Sequence, residues 1–474
     1  MSVLALREEA VAPALEGRER LELLCDPGSF EPLRTAVRSL NLGSRARAGD
    51  GVVAGAGRIG GRVVFCYAQD PSFMGGSLGV AHADSIVRVL NLAARAGAPV
   101  VGLIESAGAR LQEGHGALAG YGRIFRASVE LSARSPQISI VTGVSAGGGA
   151  YSPALTDFVV MTRDARMFLT GPQVVEEALG ERVSMEELGG PRVHSRNGVC
   201  QLVADDLPRA MTATRELLGM LPHRFGDGAA PVAPAAAAPS AEPDATVPTE
   251  ARKVYDVRDV ARSIVDGGRI LELSGSWARN MVTALARIDG RPVGILANQP
   301  RSLGGVIDAV AAEKAAIFVD ACDRFGLPLA VLVDTPGFMP GTRQEGGGVI
   351  RHGASLLRAF ASARVPKVTV IIRKAYGGAV ITMNSRDLGA DLVFAWPQAE
   401  IGIMAARQAV GIVNRRELAA AERRDSALAE LATDYADEHL GAERAAASGF
   451  VDEVIEPRQT RQRLAWAFES LERR

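Results

Sequence analysis

Glycine pairs that recur along the chain are the residues best placed to do chemistry. Gly75-Gly76 returns in the second half of the chain as Gly304-Gly305. Gly147-Gly148 returns at nearly the same separation as Gly377-Gly378. Glycine adopts positive φ without strain and allows a ligand to approach the main chain closely. Each pair is therefore a candidate site at which backbone N–H groups hold an anion.

The turn in SAGGGAYSPALTD, residues 145–157, lies between an apolar run and a helix predicted from Tyr151 onward. The first N–H groups of a helix are unpaired and can bind an oxyanion. A tight turn that serves packing alone is the alternative interpretation. The second copy, over residues 374–385, favours a functional role. Two matched turns of this kind indicate a reaction with two anionic partners.

Strand and helix patterns that must position these turns also come in two copies. The apolar runs predict buried strands over 61–70, 98–105, 136–144, 290–299, 327–334 and 366–373. The 3.6-residue spacing of apolar side chains predicts helices over 82–96, which ends at Gly97, and over 311–325. Apolar strands separated by helices are typical of parallel βαβ units. The sequence therefore predicts a duplicated α/β fold.

An Ala/Pro-rich stretch over residues 228–249 divides the two copies. It lacks the apolar periodicity that burial requires, so we predict an exposed linker between a domain over 1–227 and a domain over 250–474. Residues 418–449 are rich in Ala, Glu and Leu, which predicts a helical pair used for packing or a subunit contact.

Composition excludes several classes of function. The net charge of −1 over 474 residues gives no sign of a nucleic-acid partner. The apolar runs are too short to span a membrane, and the N-terminus lacks the pattern of a signal peptide. Four widely spaced cysteines predict reduced thiols and a cytoplasmic location. Six scattered histidines predict no metal site.

Side chains offer few candidates for catalysis. We interpret Asp334 and Glu345 as loop-capping carboxylates, since no His or Lys partner is near them in sequence. For Arg110, membership of a structural ion pair is as well supported by the sequence as a functional role. The run at residues 75–79 lacks the GK[ST] ending of a phosphate loop. What remains is enolate-type chemistry, in which backbone donors hold the charge.

Long motifs in the chain resemble the carboxyltransferase (β) subunit of biotin-dependent acyl-CoA carboxylases, of the acetyl-/propionyl-CoA type found in actinobacteria. They include SAGGGAYSPALTDFVVM, MEELGGPRVHS, DTPGFMPGTRQE, PKVTVIIRKAYGG and FAWPQAEIGIM. The resemblance implies tandem crotonase-like (ClpP/crotonase) domains, with acyl-CoA on the first and carboxybiotin on the second domain of a facing subunit. It also implies a hexamer, and an α subunit as partner that provides biotin carboxylase and the biotin carboxyl carrier.

The resemblance also assigns roles to residues. The N–H groups of Gly147 and Gly148 are expected to hold the thioester enolate, and those of Gly378 and Ala379 the ureido oxygen of biotin. Residues expected to bind the acyl-CoA are Gly75, Gly76, Ser106, Gly108, Ala109, Arg110, Tyr151 and Ile381. Residues expected to bind biotin are Pro336, Gly337, Phe338, Tyr376, Gly377, Met404 and Ala405.

Two features bear on the substrate and the activity. Ile381 is an apolar residue that suits a short acyl chain, acetyl or propionyl. Ala405 and Gln408 stand where the family has glycine, so a Cβ is expected to strain this loop if it needs positive φ. The alternatives to a carboxyltransferase are a malonyl- or methylmalonyl-CoA decarboxylase, a carboxyltransferase with an unusual acyl acceptor, and a non-catalytic scaffold subunit.

Overall fold

The computed structural model describes residues 16–227, 230–236, 243–250 and 253–471. These residues divide into two compact units. One comprises residues up to 190 together with 204–215, and the other comprises 191–203 together with 216 onward. None of the helices in the described ranges combines the length and apolarity that are needed to cross a bilayer.

Sixteen strands and nineteen α-helices are present in the described ranges. The strands are β1 Glu31–Leu33, β2 Val52–Ile59, β3 Arg62–Gln69, β4 Val100–Ser106, β5 Gln137–Ala146, β6 Phe158–Thr162, β7 Arg166–Phe168, β8 Leu202–Ala204, β9 Ile270–Leu273, β10 Met281–Ile288, β11 Arg291–Asn298, β12 Leu329–Thr335, β13 Lys367–Tyr376, β14 Leu392–Ala395, β15 Glu400–Gly402 and β16 Glu453–Val454.

The helices are α1 Gly17–Leu24, α2 Val80–Ala96, α3 Gly114–Ser132, α4 Gly148–Ala154, α5 Pro172–Leu179, α6 Met185–Gly189, α7 Pro191–His194, α8 Leu207–Met220, α9 Pro243–Thr246, α10 Val257–Ile264, α11 Ala309–Phe325, α12 Thr342–Gly346, α13 Val349–Ser362, α14 Gly378–Thr382, α15 Ala406–Val413, α16 Arg415–Ala420, α17 Arg424–His439, α18 Ala442–Ala447 and α19 Thr460–Ser470.

The sheet of the first unit runs in the order β1-β2-β3-β4-β5-β6, and β7 pairs with β5. Strands β1, β2 and β3 are antiparallel, whereas β3, β4, β5 and β6 are parallel. Helix α2 connects β3 to β4 and ends at Gly97, whose φ of 61° makes it a left-handed C-cap. The unit is thus a mixed sheet with a βαβ core.

The second unit repeats this plan. Its sheet runs β16-β14-β13-β12-β11-β10-β9, and β15 pairs with β13. The bounds of β2, β3 and β4 recur at a constant offset as β10, β11 and β12, and those of β5 recur as β13 at nearly the same offset. Each copy has an irregularity at the same place, between Ile104 and Ser106 and between Val333 and Thr335. The predicted duplicated α/β fold is confirmed.

Packing explains why the strands of the second unit read as continuous apolar runs. Residues of β10, β11, β12 and β13 form one buried cluster with α10 and α19, in which Trp396 and Phe468 are among the largest side chains. Strands that are covered on both faces have no polar face to alternate with the apolar one. The helical pair predicted over 418–449 is present as α17 and α18, and α16 precedes them.

Part of the predicted linker lies outside the described residues, at 228, 229 and 237–242. Residues 230–236 are exposed but bonded to the second unit, whereas Val247 is buried in the core cluster of that unit, so the predicted exposure of the whole stretch is wrong at this residue. The Val232 N–H donates to the Gly290 oxygen at 3.0 Å, and the Gly267 N–H donates to the Ala236 oxygen at 2.8 Å. The predicted domain boundaries at 227 and 250 remain a prediction.

Candidate active site

Strand β5 ends at a turn whose main chain offers two free donors. Gly147 has φ 59° and ψ −128°, and α4 begins at the next residue. The Gly147 N–H donates to the Phe168 oxygen at 3.0 Å, and its carbonyl accepts from the Ala150 N–H. The N–H groups of Gly148 and Gly149 have no acceptor among the described residues, as expected at a helix start.

The turn after β13 has the same arrangement. Gly377 has φ 64° and ψ −150°, its N–H donates to the Gly402 oxygen at 2.9 Å, and its carbonyl accepts from the Val380 N–H. The N–H groups left without an acceptor in the described ranges are those of Gly378 and Ala379. In both copies a short strand, β7 or β15, accepts the hydrogen bond from the N–H of the first glycine. The N–H groups of the next two residues are left free.

This geometry corrects one predicted donor pair. Gly147 is predicted to donate together with Gly148, but its N–H is used by β7, so the free pair is Gly148 and Gly149. Sequence reasoning missed Gly149. The internal repeat contained the signal, because the offset that maps Gly377 onto Gly147 also maps Gly378 onto Gly148 and Ala379 onto Gly149. The pair Gly378 and Ala379 has the free N–H groups that its predicted role requires.

The Tyr121 ring packs against the first turn at Gly148. A Cβ at Gly148 would lie 2.8 Å from its ring, so only glycine fits there without displacement. The Tyr121 hydroxyl lies 3.4 Å from the Ser106 Oγ, and burial raises the pKa of this tyrosine. The Ser145 hydroxyl donates to the Gly149 oxygen at 2.8 Å. Predicted substrate residue Tyr151 is 51% exposed beside this turn.

The other glycine pair forms a 3-10 turn in each copy. Gly75 and Gly76 have φ of 65° and 67°, and Gly304 and Gly305 have φ of 66° and 79°. A Cβ at Gly76 would overlap the main-chain oxygen of Glu105, and a Cβ at Gly305 would overlap that of the matching residue in the second copy. These glycines therefore permit close packing of the turn against the end of a strand.

The loops after β4 and β12 are held to the 3-10 turns by matched bridges. Leu78 pairs with Ala109 in the first copy, and Ile307 pairs with Phe338 in the second. Hydrogen bonds between residues two apart shape both loops, because the Gly108 N–H donates to the Ser106 Oγ and the Gly337 N–H donates to the Thr335 Oγ1. Of the predicted loop residues, the structure places Ser106, Gly108 and Ala109 together in the first unit, and Pro336, Gly337 and Phe338 together in the second.

Arg110, predicted to bind substrate, is buried and paired with two carboxylates. Its guanidinium lies 2.7 Å from both the Asp50 and the Glu113 carboxylates, and all three side chains are 0% exposed. It also donates to the Ser77 oxygen at 3.0 Å. Burial raises the pKa of Asp50. Burial also opposes ionisation of Glu113. Hydrogen bonds from the Val80 N–H, Arg110 and the Ser39 hydroxyl nevertheless hold the pKa of Glu113 below its usual value.

A second buried cluster surrounds Asp334. Its carboxylate lies 3.1 Å from the Arg373 guanidinium and 3.7 Å from the Lys374 ammonium, and it accepts from the Tyr255 hydroxyl at 2.9 Å. Burial and the neighbouring carboxylate raise the pKa of Tyr255. The interpretation of Asp334 as structural therefore fits its contacts, although its cationic partners come from β13 and its tyrosine partner from the segment before α10, all distant from it in sequence. Glu345 is exposed in α12.

A cavity of about 530 Å³ opens beside the second turn. Gly377, Gly378 and Ile381 line it, and the Ile381 side chain is 47% exposed. The Tyr376 hydroxyl does not line this cavity but donates to the Glu400 carboxylate. This hydrogen bond joins β13 to β15, the same pair of strands that the bond from the Gly377 N–H to the Gly402 oxygen connects.

The loop after β15 is not strained. Ala405 has φ −61° and ψ 146°, and α15 begins at the next residue, so Gln408 lies within a helix. Neither residue has positive φ. The expectation that a Cβ strains the Met404–Val410 loop is therefore wrong, because extended and helical backbone accept any L-residue.

Comparison with solved structures defines the class of the fold. The chain superposes on a transcarboxylase 12S crystal structure with a TM-score of 0.92 and 45% identity, over 97% of this chain and 90% of that one. That structure is described as a hexamer assembly, with methylmalonyl-coenzyme A and methylmalonic acid bound. The class is the tandem crotonase-like α/β fold, as the motifs predicted.

The family follows from the sequence comparisons. The model of the carboxyl transferase domain matches residues 15–474, so the chain belongs to the carboxyl transferase family. It is 46% identical to the methylmalonyl-CoA carboxyltransferase 12S subunit of Propionibacterium freudenreichii subsp. shermanii, over 95% of this chain and 87% of that protein. It is 44% identical to the propionyl-CoA carboxylase beta chain of Roseobacter denitrificans, over 96% of this chain and 90% of that protein.

A third relative acts differently. The methylmalonyl-CoA decarboxylase subunit alpha of Veillonella parvula is 44% identical, over 94% of this chain and 88% of that protein. The resemblance to carboxyltransferase subunits is confirmed, and the chain is an enzyme of this biotin-dependent type.

Proposed function

We propose that the chain transfers a carboxyl group from carboxybiotin, carried by a separate protein, to the α-carbon of acetyl-CoA or propionyl-CoA. The products are malonyl-CoA and methylmalonyl-CoA. The observation that carries this proposal is the repeated turn, which leaves two N–H groups free in each unit at Gly148-Gly149 and Gly378-Ala379. Two anionic oxygens, one on each partner, match two such donor pairs.

The first turn acts on the acyl-CoA. Loss of the α-proton moves charge onto the thioester oxygen, and the N–H groups of Gly148 and Gly149 stabilise that oxygen. The N–C bond of carboxybiotin breaks first and releases CO2, the freed ureido nitrogen takes the α-proton, and the α-carbon of the resulting enolate then forms a bond to CO2. Each such backbone donor is worth about 3–4 kcal/mol of barrier. Gly147 contributes the positive φ that turns the chain and does not donate.

The second turn acts on biotin. Its cavity of about 530 Å³ has the size of a small-molecule site, and the N–H groups of Gly378 and Ala379 fit the ureido oxygen. Carboxybiotin supplies both the carboxyl group and, as the ureido nitrogen is freed, the base that takes the α-proton. No side-chain base is then required, which agrees with the burial of Asp334 in a structural cluster.

The apolar chemistry of the cavity wall supports a short acyl chain. Ile381 places an apolar side chain beside the second turn. One methylene is worth about 1–3 kcal/mol of discrimination in an apolar pocket, so use of both acetyl-CoA and propionyl-CoA is compatible with this wall. We further propose that the chain assembles as a hexamer and works with an α subunit that carries biotin carboxylase and the biotin carrier. Four free, buried cysteines fit a cytoplasmic location.

Transfer in the reverse direction tests the proposal. The purified chain is given malonyl-CoA or methylmalonyl-CoA, with and without biotinamide, and loss of the carboxyl group from the CoA ester is followed. Loss that requires biotinamide is the expected result, and the faster substrate identifies the acyl chain. Loss without biotinamide would establish a decarboxylase, the activity of the Veillonella relative. No loss with either substrate would favour an unusual acceptor or a scaffold role.

A further inference from the structure

The cavity beside the second turn has a consistently apolar wall. Its largest apolar contributors are Val380, Ile381, Ile401, Ile403 and Phe450. Such a wall desolvates a bound ligand and strengthens any charge interaction made within it. The ligand must therefore present its polar groups to a small number of partners.

The described lining residues of this cavity carry one permanent charge, and the Glu438 carboxylate lies 3.9 Å from the His439 ring nitrogen. Among the described lining residues, Arg444 is the cation, His439 is the titratable ring and no carboxylate is present. The Arg444 guanidinium makes no hydrogen bond or ion pair with any described residue. His439 packs against the Tyr435 ring, with 4.6 Å between centroids. Arg444 is exposed, and an exposed guanidinium at the edge of an apolar cavity, with no partner among the described residues, can bind an anion with planar oxygens.

We propose that Arg444 binds the carboxylate that carboxybiotin carries on its ring nitrogen. This inference rests on the proposed function, in which Gly378 and Ala379 hold the adjacent ureido oxygen. Biotin and carboxybiotin share the ring and the side chain and differ in this one negative charge. Arg444 is then the residue through which the chain distinguishes a loaded carrier from a discharged one, and it favours departure of the carrier after transfer.

Binding of two ligands whose valerate carboxylate is replaced by an amide isolates this effect. Biotinamide and N-carboxybiotinamide differ only at the ring nitrogen, and neither has the free valerate carboxylate of biotin. Their Kd values are measured by calorimetry without acyl-CoA, for the whole chain and for Arg444→Met and Arg444→Lys. We expect the preference for the carboxylated ligand to fall roughly fivefold to tenfold in Arg444→Met, as for a charge-assisted hydrogen bond that keeps some contact with water. Arg444→Lys is expected to restore part of it.

Arg424→Met is the matched control, because Arg424 is an exposed arginine that begins α17 and does not line the cavity. It removes the same charge and is expected to leave both Kd values unchanged. If Arg444→Met leaves the ratio of the two Kd values unchanged, whether or not both ligands bind more weakly, the inference is overturned. Reverse transfer by the same preparations separates the two levels. If the wild type transfers the carboxyl group but its Kd ratio equals that of Arg444→Met, this inference alone is contradicted. If the wild type does not transfer the carboxyl group, the proposed function is contradicted as well.

Discussion

Replacement of Arg110 by methionine tests whether this residue is structural or binds substrate. The guanidinium is fully buried and is the shared partner of Asp50 and Glu113, whose side chains are also 0% exposed. Methionine preserves most of the volume but removes the charge. Two buried carboxylates then lose their counter-ion, and removal of one partner of a buried ion pair costs about 3–5 kcal/mol. For a unit of this size we expect the apparent Tm to fall by about 6 to 20 °C.

The pH dependence of this loss has a definite sign. Without Arg110, burial raises the folded-state pKa values of Asp50 and Glu113 above those of the unfolded chain. A raised folded pKa gives stability below the unfolded pKa that is lost as the pH rises through the folded value. The Tm deficit of Arg110→Met relative to the wild type should therefore be larger at pH 8 than at pH 5.

Thermal unfolding of the wild type, Arg110→Met and Arg126→Met at both pH values provides the assay. Arg126 is the control because its ion pair with Glu130 is exposed, with side chains 83% and 55% accessible. Such i,i+4 pairs contribute about 0.3–0.5 kcal/mol, so its Tm should move by about 1–2 °C. The reasoning is refuted if Arg110→Met melts within about 2 °C of Arg126→Met. A raised KM for acyl-CoA at unchanged Tm would instead place Arg110 at the substrate.

Two further predictions concern the second unit. Gly305→Ala places a Cβ against a main-chain oxygen at φ 79° and should lower the free energy of unfolding by about 2 kcal/mol or more. The control Gly441→Ala, with no atom within 4 Å of the added Cβ and φ −61°, should change it by less than about 0.5 kcal/mol. Equal effects of the two variants in denaturant titrations would contradict the packing argument. Tyr376→Phe removes the donor to Glu400 and should cost about 1–2 kcal/mol of stability without raising the KM for biotinamide, and a raised KM at unchanged stability would show that the hydroxyl binds biotin instead.

The repeated elements were predictable because their signals are local. Apolar runs located β4, β5, β12 and β13, and Gly97 marked the end of α2 at the correct residue. A strand requires only its own side chains to read as buried, and a left-handed C-cap requires only a glycine. The nearly constant offset between matching motifs then linked the two copies without any knowledge of their contacts.

The free donor pair was not predictable in the same way. Whether the Gly147 N–H is available depends on its bond to the Phe168 oxygen, and that bond exists because β7 pairs with β5. The helix predicted from Tyr151 onward in fact begins at Gly148, since the positive φ of Gly147 already turns the chain. Likewise, Arg110 meets Asp50 across 60 residues. Such pairings depend on tertiary register, which a single sequence does not display.

Duplication has preserved the main chain and changed the side chains around it. At the end of β4, Glu105 pairs with Arg20 at 3.4 Å and keeps 24% of its side chain exposed. At the matching end of β12, Asp334 is fully buried between Arg373 and Lys374. Backbone N–H groups donate in the same way whichever side chains surround them, so the turn can be copied intact. The surroundings are then free to differ, which allows one ancestral turn to serve two different anionic oxygens.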